Sequence, residues 1–271
     1  MDGSTLLAGR YRFLRWIPGG ANYLIWLARD EATGSVVVVS PLPVSRVLLL
    51  EPAVGIVHPR LASIRQIIHD FDPALLPERR SDNERISAVV ADRLAGKTLY
   101  DTLPKGNLAP VDAVATLASI CSPVAIMHRR GGAHGAISAR SVVVERVDGG
   151  PNPALSQILV PPDGLYCSPE RISGGGASSL DDTWALFVTL YTCLTGQRPF
   201  RGKSRVEITR AISAGQVAPL SESGINDRDL QFLFDRGFAC DLSQRMWRVD
   251  ELREALLSWL RRNAPDRAHG E

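Results

Sequence analysis

The residues best placed to do chemistry lie in one short run, H-G-A-I-S-A-R-S, His134 to Ser141. It offers an imidazole, His134, and two hydroxyls, Ser138 and Ser141. An imidazole can move a proton near neutral pH, and a hydroxyl can attack once a base activates it. The run holds no acid to orient the imidazole and no lysine. His134 therefore reads as a packed core histidine. Gly19-Gly20 resembles a phosphate cradle in composition only. Pro18 removes an N–H donor and Tyr23 puts a phenol where backbone should approach, so the pair reads as a hairpin turn. Asp163, before Gly164, is a turn residue with metal ligation as its alternative. Cys121, Cys167, Cys193 and Cys240 form no Cys-x-x-Cys pair and no metal spacing with a histidine. They read as reduced, mostly buried thiols of a cytosolic protein.

Elements must position these groups, and their period changes along the chain. R-Y-R-F-L-R-W-I and Y-L-I-W-L-A-R flank P-G-G-A-N as two strands of a hairpin. D-E-A-T-G turns into S-V-V-V-V-S, a third strand that Pro41 and Pro43 should end. A short helix near 46–55 is cut by Pro52. L-A-S-I-R-Q-I-I-H-D and R-I-S-A-V-V-A-D are two more strands, with a loop over 73–83. From about residue 98 apolar residues recur every three or four positions. A long helix starts at Pro110, should kink at Pro123 and stops at Gly131-Gly132. Further helices cover 181–196, 204–215, 227–238 and 249–262. S-G-G-G-A-S-S, 173–179, reads as a flexible linker. Trp16, Tyr23 and Trp26 are core or a cavity-filling set.

Composition bounds the function. The 271 residues are 45% hydrophobic and 22% charged, with net charge +2. No basic cluster interleaves with aromatics, which speaks against nucleic acid. The start M-D-G-S-T has no signal pattern. The longest clean apolar run, Trp184 to Leu194, is too short for a bilayer, so no direct membrane insertion is expected.

Four motifs in order carry a resemblance. V-H-P-R-L (57–61), Y-C-S-P-E-R-I (166–172), D-D-T-W-A-L-F-V-T-L-Y-T-C-L-T-G-Q-R-P-F (181–200) and D-L-S-Q-R-M (241–246) resemble those of bacterial Ser/Thr protein kinases. The likeness runs from about residue 9 to 262. It implies an α+β, bilobal protein kinase-like fold: a β-rich N-lobe over 9–92, a helical C-lobe over 93–262, and a flexible tail over 263–271. Phosphoryl transfer there needs phosphates and metal ions held and an acceptor hydroxyl deprotonated. The resemblance puts Ser40 in the place of the phosphate lysine, Ala136 in that of the catalytic base and Ser138 in that of the auxiliary lysine. Ser141 and Gln157 take the places of the two metal ligands. Glu51 is the only candidate for the helix glutamate.

The expectation is therefore no enzyme but a degenerate member, a pseudokinase with no catalytic, cofactor-binding or metal residues. His134, Glu170, Asp182 and Arg245 match structural positions: Asp182 holds the loop's backbone, and Glu170 pairs with Arg245. The chain is similar to the pseudokinase of actinobacterial peptidoglycan lipid flippases. That likeness implies a cytoplasmic scaffold or regulator in cell-wall control, here the cytosolic module of a larger membrane protein. Its partner would be a forkhead-associated-domain protein or an active Ser/Thr kinase. The segment Gln157–Glu170 has no threonine, so any phosphosite lies elsewhere. The alternatives are a nucleotide-binding switch without transfer, with adenine at Val90–Asp92 and failing if Tyr23 fills the cleft, and nucleotidyl transfer using Asp92, Lys97 and Asp163.

Overall fold

A computed structural model describes residues 6–20, 23–72, 75, 85–103, 106–147, 150–157 and 164–268. The first part is an antiparallel sheet of β1 (Leu6–Leu7), β2 (Tyr11–Gly20), β3 (Tyr23–Asp30), β4 (Val36–Pro43), β5 (Ile64–Ile68) and β6 (Ile86–Asp92), in the order β1-β2-β3-β4-β6-β5. Alternation sorts its two faces. Phe13, Trp26, Val37, Val39, Ala88 and Val90 pack on one face, where Trp26 meets Phe13, Trp16 and Phe71 edge to face. Trp16 and Trp26 are thus core; the side chain of Tyr23 lies outside what is described. Leu42 and Val89 point the other way, into the core shared with the helices.

Pro41 and Pro43 do not end β4. The strand runs on to Pro43 with Pro41 opposite Ala88 and Pro43 opposite Ile86. Pairing with β3 stops at Val39, so the prolines face an open edge where no N–H is needed. The same reason hides β9 (Gly150–Leu155), which carries Pro151 and Pro153 at the outside of the small sheet β7-β8-β9, with β7 Lys97–Thr98 and β8 Val142–Val147.

Between β4 and β5 the expected helix is one turn, α1 (Val44–Val47), followed by a 3-10 turn, Glu51–Ala53. Pro52 opens that turn rather than cutting a helix. This segment lies against the helical part, where Leu49 O accepts the N–H of Ala133 at 3.0 Å.

The helical part comprises α2 (Leu99–Thr102), α3 (Pro110–Arg129), α4 (Pro169–Ile172), α5 (Ser179–Thr195), α6 (Arg205–Ser213), α7 (Arg228–Gly237), α8 (Val249–Asn263) and α9 (Pro265–Ala268). α3 begins at Pro110, continues across Pro123, and ends where Gly131 takes φ +79°. It is long and apolar enough to cross a membrane, which the sequence reading overlooked, but 67% of its apolar stretch is buried inside the protein. α5 crosses the middle, with Trp184 and Phe187 against Phe200, Phe234 and Phe238. Past α8, Pro265–Ala268 form a helical turn where a frayed tail was expected; residues 269–271 lie outside the described residues.

Candidate functional site

The His134 loop is held by a buried carboxylate. Asp182, in the first turn of α5, accepts the N–H of His134 at 2.7 Å and of Gly135 at 2.6 Å. His128 Nε2, from the last turn of α3, lies 3.0 Å from the same carboxylate. Burial alone would raise the Asp182 carboxyl. The His128 hydrogen bond and charge and the Gly135 N–H outweigh it and leave the group below its ordinary value. His134 is 1% exposed. Its Nε2–H donates to Ser156 O at 3.0 Å and its Nδ1 accepts the N–H of Ala136 at 3.3 Å. Burial lowers its pKa against the pull of Asp182, so both ring nitrogens serve a neutral imidazole.

Gly135 takes φ +65°, and a Cβ there would stand 2.9 Å from Ala177 Cβ and 3.3 Å from an Arg46 nitrogen. Gly135→Ala combines a left-handed cost with this contact. It should lower the melting temperature by about 4–8 °C, taking about 2 kcal/mol at 2–4 °C per kcal/mol. Thermal unfolding followed by circular dichroism checks this; an unchanged melting temperature would show the loop is free to move.

The five positions expected to be degenerate are neutral and buried. Ala136 is 1% exposed. Ser138 and Ser141 close on each other: Ser141 Oγ accepts the N–H of Ser138 at 2.9 Å and donates to Ser138 O at 3.0 Å. Ser141 O takes the N–H of Ser156 at 2.7 Å, so the loop, His134 and the start of Gln157 converge. Gln157 is fully buried, and neither polar atom of its side chain has a hydrogen-bond partner among the described residues. Ser40, opposite Val89, is 4% exposed, and its hydroxyl likewise has no partner among the described residues.

The remaining candidates scatter. Glu51 is exposed. Asp92 is tied to Arg65 Nε at 2.6 Å, and Lys97 is exposed on β7. Asp163 lies outside the described residues. Among the described residues no three His, Cys, Asp or Glu side chains gather as a metal site.

The Ser-Pro-Glu turn is built onto the same helix. Ser168 caps α4, its Oγ accepting the N–H of Arg171 at 3.2 Å. Glu170 receives Arg245 Nη1 at 2.9 and 3.0 Å. Arg245, 5% exposed, also donates to Ala239 O at 2.6 Å and Cys240 O at 3.2 Å, with its guanidinium over Trp184.

Sequence reasoning missed a second ion pair. Asp181 accepts the N–H of Ser168 at 2.9 Å and pairs with Arg171, whose Nη1 also donates to Gly135 O at 3.1 Å. The signal was the doubled acid, Asp181-Asp182: consecutive helical residues point about 100° apart, so each can serve a different loop. The glycines of 173–179 are not a plain linker either. Gly174 takes φ +98°, Gly175 N–H donates to Glu170 O at 2.9 Å, and Ser178 caps α5.

No protein-family model matches the chain. Among curated proteins it is 26% identical over 225 residues to the serine/threonine-protein kinase PrkC of Bacillus subtilis, an alignment covering 74% of this chain and 33% of PrkC. It is 27% identical over 218 residues to the serine/threonine-protein kinase PkaA of Streptomyces coelicolor, covering 70% of this chain and 39% of PkaA. The chain thus spans 33% of one relative's length and 39% of the other's. The expectation that it is no enzyme is overturned here, because both relatives are named as protein kinases and point to an enzyme. Among solved structures, the PknI kinase domain of Mycobacterium tuberculosis superposes with TM-score 0.71 at 16% identity, covering 95% of this chain and 99% of that one. Sheet, helices and loop order together give this chain a protein kinase-like fold.

Proposed function

We propose that this chain is a kinase-like signalling module that regulates by binding another protein. The partner we infer is a forkhead-associated-domain protein or an active Ser/Thr kinase, and the setting is cytoplasmic control of the cell wall. One observation carries this reading. The chain after the Ser-Pro-Glu turn, exposed over Ser173–Gly176, is fixed from within by Asp181 and the Glu170–Arg245 pair, with the buried His134 loop held beneath it by Asp182. The relatives are named for acting on serine and threonine, so a protein-facing surface is what the likeness would carry over. A second reading, nucleotide binding, is favoured by the apolar strip of Ile25, Leu27, Val38 and Ala91 on one sheet face.

The test phosphorylates the purified chain with an active bacterial Ser/Thr kinase and titrates a forkhead-associated domain by calorimetry. Binding near micromolar affinity only after phosphorylation is the expected result. In parallel, ATP with and without Mg²⁺ is added in a thermal-shift assay. Nucleotide at 100-fold its Kd adds about 2.7 kcal/mol. Absent binding in both states, or equal binding in both, would overturn the regulator reading, and phosphate transfer to a protein at about 1–100 s⁻¹ would show that the module is also a working kinase.

A further inference from the structure

We propose that Arg171 is a positioning residue that fixes the surface around Ser168–Gly175 without any covalent modification of that segment. This rests on the protein-binding reading above and names the regulation of that surface. Arg171 joins two elements distant in the sequence. Its Nη1 donates to Gly135 O in the His134 loop at 3.1 Å and pairs with Asp181 on α5. Asp181 is 2% exposed and Arg171 has 17% of its side chain exposed, so water competes little for the pair. Asp181 also takes the N–H of Ser168, so one carboxylate holds the turn by backbone and by side chain.

The turn has no slack after α4. Ile172 N–H donates to Ser168 O, Ser173 N–H to Pro169 O, and Gly175 N–H to Glu170 O, at 2.9–3.0 Å. A Cβ on Gly175 would sit 2.8 Å from Glu170 O, so the chain passes where only glycine fits. Ser168 itself is closed to modification: it is 1% exposed, and its Oγ is the cap of α4. Added phosphate commonly orders such a segment by pairing with arginine. Here the fixed carboxylate of Asp181 occupies the arginine from within the fold. The partner surface is therefore in its final shape as soon as the chain folds, and a phosphosite elsewhere acts by being read, not by reshaping this segment.

Hydrogen exchange resolved to single amides tests this on the full chain, with no partner present. Failure of the strap is therefore distinguishable from failure of the protein-binding reading. The unphosphorylated chain should protect the amides of Ser168, Ile172, Ser173 and Gly175, and phosphorylation by an active Ser/Thr kinase should not change them. Arg171→Met should speed their exchange about tenfold or more while the α5 amides Trp184–Leu194 stay protected. Arg171→Lys, which keeps the charge and loses the fork, should fall between. Protection that appears only after phosphorylation, or an Arg171→Met profile equal to the native one, overturns the proposal. If Arg171→Met opens α5 as well, Arg171→Lys decides: a local loss supports the strap and a native profile overturns it.

Discussion

Asp182→Ala should cost the chain about 4 kcal/mol or more of stability, close to the whole of it for many domains. The carboxylate accepts two backbone N–H groups and one imidazole, and hydrogen bonds to a charged group contribute about 1.5–3 kcal/mol each. The alanine leaves the N–H groups of His134 and Gly135 buried with no acceptor. Asp182→Asn is the gentler test, since its carbonyl still accepts one bond while its amide opposes a second donor. Urea unfolding measures both, and a change under about 1 kcal/mol for Asp182→Ala would show the loop is held by something else. Acid adds an independent check. The folded-state pKa of Asp182 lies below its ordinary value, so its contribution is complete above the unfolded value of about 4. That contribution is lost as pH falls through the folded value. Asp181 shifts the other way, raised mainly by burial against the pull of Arg171, so the acid limb belongs to Asp182 only where Asp182→Asn flattens it.

The second large effect belongs to Arg245, and it should be lopsided. Breaking a buried ion pair costs about 3–5 kcal/mol, because a charge is left behind without its partner. Arg245→Ala removes the pair with Glu170, two bonds to carbonyls, and the contact over Trp184, so it should sit inside that range. Glu170→Ala should cost less, about 1–2 kcal/mol, because 34% of the Glu170 side chain is exposed and water replaces part of what is lost. The arginine it leaves also keeps its two carbonyls. The double variant should cost little more than Arg245→Ala alone, leaving a coupling of about 1 kcal/mol in a double-mutant cycle. Equal costs for the two single variants, or strict additivity, would show that the pair is not the unit that holds the turn.

Much of the fold was legible because period and punctuation agreed. The hairpin of β2 and β3, the long α3 with Pro110 at its start and Gly131 past its end, and the four later helices follow from patterns that local physics enforces. The errors share one cause. Pro41 and Pro43 were read as strand breakers, yet each sits on a stretch with only one neighbouring strand, and edge position is a property of the whole sheet. Gly174 and Gly175 were read as slack for the same reason: the carbonyls they serve belong to α4, and only the packed turn shows it. In the candidate site, Asp182, Glu170 and Arg245 stood out through a motif. Arg171, Asp181 and His128 did not, because their partners lie 10 to 54 residues away and no short pattern links them.

The core does not respect the boundary that the sequence suggests at residue 92. Leu42, Ile64 and Val89 of the sheet are continuous with Val114, Leu117 and Leu186 of the helices, and the turn after α1 bridges them where Leu49 O accepts the N–H of Ala133. A crossover or an engineered cut there would open apolar surface on both fragments. Either half, grafted onto another chain, would arrive with an interface it cannot cover, so the two halves are stable only together.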